Sequence, residues 1–130
     1  MSGSHTTTFT VSESKSIFCT FQFEGFHRWP EAPYYCKFLA NLHRHIFHAR
    51  VEMAVTHDNR DVEFITLKNT LLDRVDEMQK KLGESRSCEM MCEWFINDIF
   101  KRYPECAWVE VEVSEDGENG ARIRHTRVPA

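Results

Sequence analysis

The chain has 130 residues, 42% of them hydrophobic and 12% aromatic, with 20 acidic against 16 basic residues for a formal charge of -4. That length suits one domain with a modest core, and the charge gives no footprint for binding a phosphate backbone, so nucleic acid is not expected as a partner. No run of eighteen or more apolar residues occurs, so no membrane span is expected, and the opening MSGSHTTT has neither a basic leader nor an apolar stretch. A cytoplasmic location follows as an expectation, with residues 1–12 a disordered tail or leftover expression residues and 13–130 a single domain.

Ile17 to Phe26 alternates aromatic with smaller or polar residues, the period-two pattern of a half-buried strand ending near Gly25. His27 to Pro33 carries two prolines, and Tyr34 to Leu42 then reads as a loop or short helical turn. From His43 to Thr56 the alternation resumes, with His45, Phe47, Ala49, Val51, Met53 and Val55 on one face, predicting a long second strand paired with the first.

Phe64, Leu67, Leu71, Val75, Met78 and Leu82 recur at helical spacing, and Gly83 ends that helix. Ser87 is the expected N-cap of a second helix, with Cys88, Met91, Cys92, Phe95 and Ile99 as its apolar stripe and Pro104 beyond its end. Val109, Val111 and Val113 mark a third strand, Asp116 to Gly120 a turn, and Ala121 to Arg127 a fourth strand. The order ββααββ predicts an α+β fold, two helices covering one face of a four-stranded antiparallel sheet whose edges are left open. Five cysteines without a paired framework are expected as reduced, mostly buried thiols.

The segment LHRHIFH holds three histidines. On a strand His43 and His45 share a face and His48 points the other way. If the first two strands pair across the proline loop, His27 comes beside His43 and His45, and three imidazoles with an open position suit zinc or another first-row metal. By spacing alone, histidines on a solvated strand face are the commoner reading, since His-x-His recurs often by chance. His48 and His57 read as surface or supporting groups, and His5 and His125 as bystanders.

Five separated segments, FEGFHRWPEAP, LHRHIFHARVEM, DVEFITLKNTL, SCEMMCEWF and WVEVEVSEDGENGA, appear in that order. Together they resemble the 6-pyruvoyl-tetrahydropterin synthase and 6-carboxytetrahydropterin synthase family, including its short bacterial and phage-type homologues. The resemblance implies the tunnelling fold, with subunits joined edge to edge in rings, as trimers or hexamers, and with sites between subunits. It implies zinc on His27, His43 and His45, with Arg44 replacing a middle glycine. Glu115 would grip the guanidine-like edge of a pterin, and Ser87 and Glu89 would help frame it. Glu63-Phe64 and Lys68 match the entry to the family's first helix.

The family's proton-transfer groups match less well. Cys36 is the candidate catalytic thiol but lies farther from His43 than in the family, with Leu39 nearer the expected place. The Asp-His pair has no counterpart, since no histidine lies between His57 and His125; His57 and Asp76 are the substitutes at hand. Two functions are therefore expected. One is zinc-assisted lyase or synthase chemistry on a dihydropterin triphosphate, as in tetrahydropterin or 7-deazaguanine synthesis. The other is binding or sequestration of a pterin or purine-derived nucleotide without turnover. Beside these two stands a non-functional alternative, a structural metal in a scaffold.

Overall fold

The computed structural model describes residues 6–129. His5 and the rest of residues 1–5 in the expected tail lie outside the described residues, and residues 6–15 precede the first strand without regular secondary structure. Strand β1 spans Ser16–His27, followed by a 3-10 segment at Tyr34–Ala40 and strand β2 at His43–Ala54. Helices α1 (Phe64–Asp73), α2 (Val75–Leu82) and α3 (Cys88–Arg102) precede strands β3 (Trp108–Glu115) and β4 (Asn119–Thr126). The sheet order is β1-β2-β3-β4, antiparallel throughout. This is the α+β architecture expected from the periodicities.

The helix expected as one piece from Phe64 to Leu82 is instead two. At Arg74 the last turn of α1 tightens, the Arg74 N–H being shared between the Leu71 and Leu72 carbonyls. Its guanidinium bonds Asp98 of α3 at 3.2 Å and lies over the Trp94 ring. The apolar stripe runs on through the break, as Leu67, Leu71, Val75 and Met78 are all buried, so hydrophobic spacing does not reveal it.

One sheet face is dry. Phe21, Phe23, Phe47, Val51, Val109 and Val111 meet Leu71, Met91, Phe95 and Ile99 in a single core, each large side chain contributing about 1.5–3 kcal/mol through burial. Phe23 stacks on Phe47 at 5.4 Å, and Phe21 meets the edge of Phe95 at 5.7 Å. The opposite face carries cross-strand charge pairs, Arg122 with Glu112 and Arg124 with Glu110. Cys19, Cys88, Cys92 and Cys106 are buried, Cys36 is half-buried, and all five are free thiols.

The strands do not end level. β1 and β2 pair from Ser16↔Ala54 to His27↔His43, whereas β2 and β3 pair only from Met53↔Val109 to Phe47↔Glu115. A two-stranded overhang beyond β3 results, and the three histidines of interest lie on it.

Candidate metal centre

Antiparallel register makes His27 the direct partner of His43, with His45 opposite Gly25. The three imidazoles form a triangle, with ring centroids 4.6 Å (His27–His43), 5.0 Å (His43–His45) and 5.4 Å (His27–His45) apart. They lie on the core side of the sheet, against the edge of Phe47, whose ring centroid is 5.2 Å from His27 and 5.8 Å from His45. Phe47 is fully buried, so it gives the cluster a rigid apolar floor.

Each ring is held from behind through Nδ1. His27 donates to the Arg86 carbonyl at 2.9 Å, His43 to the Asn41 carbonyl at 2.8 Å, and His45 to the Asp116 carboxylate at 2.7 Å. A carbonyl can only accept, so Nδ1 carries a hydrogen in His27 and His43, whereas His45 faces a carboxylate at both ring nitrogens, Asp116 at Nδ1 and Glu115 at Nε2. A neutral ring with its hydrogen on Nδ1 offers Nε2 as a lone-pair donor, while a protonated His27 or His45 donates from Nε2 to Glu115. An outer partner on the far nitrogen is the usual support of a metal-bound histidine.

Glu115 enters the same cluster. A single oxygen, Oε2, lies 2.8 Å from Nε2 of His27 and 2.8 Å from Nε2 of His45. One ligand atom from each of His27, His43, His45 and Glu115 falls within 4.8 Å of all the others. Zinc with bonds of about 2.0–2.1 Å would set tetrahedral ligand atoms roughly 3.4 Å apart, so Glu115 Oε2 would draw back from 2.8 Å while the wider pairs, none beyond 4.8 Å, close in around a first-row metal. The nitrogen and carboxylate donors suit zinc and its neighbours in the series.

Two residues that support the cluster were not singled out from the sequence. Asp116 sits at φ 57°, in the turn after β3. Its N–H donates to the Ile46 carbonyl at 2.8 Å, and its Oδ1 accepts from the Ile46 N–H at 3.0 Å. The His45 hydrogen bond, then the Ile46 N–H, holds the Asp116 carboxyl below the usual carboxylate range. The signal available was its place beside Glu115 in strong turn chemistry. Arg86 acts on His27 through its carbonyl, while its buried side chain donates to the Gly83 carbonyl and Gln79 Oε1, each at 2.8 Å. A main-chain role leaves no signal in residue type.

The other expected site residues are placed as follows. Ser87 Oγ accepts from the Met90 N–H at 3.1 Å, capping α3, and Glu89 is exposed in the first turn of that helix. Cys36 lies in the 3-10 segment between His27 and His43, with a non-helical backbone at φ -139°. Arg44 is accommodated in the histidine pair because it points to the other face, donating to Glu24 at 3.0 Å. Asp76 is exposed on α2. His48 lies against Gly117, His57 is 3.6 Å from Asp61, and His125 meets Glu93 at 3.1 Å. Burial, with Glu115 as the next contributor, pushes the Cys88 thiol up to about 12, which keeps it protonated at neutral pH.

No family model matches the chain, and no curated protein matches it by sequence. Solved structures do. A variant of Plasmodium vivax 6-pyruvoyltetrahydropterin synthase, with a catalytic glutamate replaced by alanine, aligns over 89% of this chain and 100% of its own, with TM-score 0.61 and 13% identity. The corresponding cysteine variant aligns over the same shares at TM-score 0.59 and 12% identity. A further crystal structure of that enzyme gives 0.53 and 10%, again over 89% and 100%. At such identities the likeness establishes the fold: four antiparallel strands with helices on one face, the tunnelling fold of that synthase.

Proposed function

We propose that this chain is a metal-binding, pterin-synthase-like protein that takes up a pterin or another guanine-derived ligand beside His27, His43 and His45, with zinc as the metal. The observation that carries the metal reading is the convergence of one ligand atom each from His27, His43, His45 and Glu115 within 4.8 Å of one another, with Glu115 Oε2 2.8 Å from two Nε2 atoms. A divalent cation among these atoms would take the place of the protons that otherwise bridge carboxylate and imidazole. The synthase fold supports the choice of ligand class.

Bound at this site, zinc would supply a Lewis acid that polarises a carbonyl or hydroxyl of the ligand. The chain's own residues orient and enclose. Asp116, Asn41 and Arg86 fix the imidazoles, Phe47 excludes water from below, and Cys36 in the connecting segment is the thiol available for proton transfer. Ser87 and Glu89, at the start of α3, would frame the heterocycle. The free edges of β1 and β4 favour rings of copies, trimers or pairs of trimers, with the site near a subunit boundary.

Binding without turnover is the second reading, favoured by the exposed position of Asp76 and by the absence of a histidine between His57 and His125 to pair with it. Zinc-loaded protein incubated with 7,8-dihydroneopterin triphosphate separates the two by mass spectrometry. Formation of a side-chain-cleaved pterin supports the enzyme; capture of unchanged compound, recovered after heat denaturation, supports the binder. Absence of both product and capture defeats the pterin assignment, and absence of bound metal in elemental analysis of the reconstituted protein defeats the metal assignment.

A further inference from the structure

We infer that Glu115 is the fourth protein ligand of the metal, so that the centre is closed by the chain itself until something draws that carboxylate away. The inference rests on the metal half of the proposed function and is independent of the pterin half.

Glu115 is the last residue of β3 and continues the inward-facing series Val109, Val111, Val113. Its backbone is fixed on both sides. Phe47 is its cross-strand partner on β2, Asn119 its partner on β4, and its carbonyl accepts from the Glu118 N–H at 3.0 Å. The next residue is fastened to Ile46 by two hydrogen bonds. The carboxylate therefore reaches the imidazoles from a rigid base, with Oε2 already between His27 and His45. A cation held by the three imidazoles would have this oxygen within reach as a fourth ligand, where a catalytic zinc site keeps a place for water or substrate.

The charges agree with this assignment. Three neutral imidazoles leave a divalent ion with its full charge on an apolar floor, and one carboxylate halves it. A carboxylate bound to the metal cannot at the same time grip a guanidine-like edge. Any ligand that uses Glu115 must therefore first exchange it off the metal, which couples recognition of the heterocycle to opening of the coordination position.

The test uses the full chain loaded with cobalt(II), with azide as the probe of an open position. Wild type is expected to keep its visible d–d spectrum when azide is added. Glu115→Gln is expected to show a different starting spectrum, to shift on azide addition, and to bind cobalt more than ~100-fold more weakly, beyond the ~10–100-fold loss that follows removal of an outer partner. A wild-type spectrum that moves with azide overturns the inference without any variant. Superposable spectra of wild type and Glu115→Gln overturn it as well, leaving the three-histidine site in place. Failure of wild type to take up cobalt overturns both this inference and the metal reading on which it rests.

Discussion

His45 and Asp116 are locked together at the mouth of the cluster, imidazole Nδ1 to carboxylate Oδ2 at 2.7 Å, while the other carboxylate oxygen holds the Ile46 N–H. The orientation of His45 is therefore set by a residue of the β3–β4 turn and not by its own strand. Asp116→Asn keeps a residue type that tolerates positive φ but removes the anionic acceptor. Metal affinity is expected to fall ~10–100-fold, with secondary structure unchanged by circular dichroism, measured in competition with a chromophoric chelator.

Gly25 lies opposite His45, where a Cβ would fall 2.9 Å from Phe47 Cε2 and 3.1 Å from an Arg86 Nη2. Phe47 is enclosed and cannot retreat. Gly25→Ala is expected to cost about 1–3 kcal/mol through overpacking, read by urea denaturation. Because Phe47 also supports His27 and His45, metal affinity should fall in the same variant.

Ser87→Ala separates two roles. Loss of the cap on Met90 N–H is expected to cost about 1 kcal/mol of stability. If Ser87 also frames the ligand, the variant loses pterin affinity beyond what its lowered melting temperature explains; isothermal titration well below the melting range checks this.

Burial pushes Cys19 up to about 11 and Cys88 and Cys92 up to about 12, from an ordinary value of 9.0. Above pH 9 the unfolded chain loses these protons while the folded one keeps them, so stability is full below about pH 9 and declines as pH rises toward 11–12. Urea midpoints across that range check the sign. At pH 8, a thiol reagent should modify Cys36 first, with the four buried thiols reacting only after denaturation.

Much of this was legible because both strands of the overhang announce themselves by period two, and two paired strands carry His27 to His43 and His45 without further information. The hairpin turn and the cap at Ser87 were likewise readable from local chemistry. Arg74 was not: the break is made by a shared N–H and by partners on α3, while the hydrophobic stripe passes through it. The place of Glu115 was readable only as a candidate ligand contact, since its entry into the histidine cluster depends on how far β3 stops short of β2. In the sequence Asp116 signals only a turn, because its second role appears only when the turn folds back over Ile46.

The carbonyl that steadies His27 belongs to Arg86, four residues after α2 ends and two before α3 begins. No side-chain substitution can delete that acceptor. The span from Leu82 to Cys88 thus works as a ruler: inserting or removing one residue there would carry a different peptide plane to the His27 imidazole and turn it off axis, with every ligand still present in the sequence.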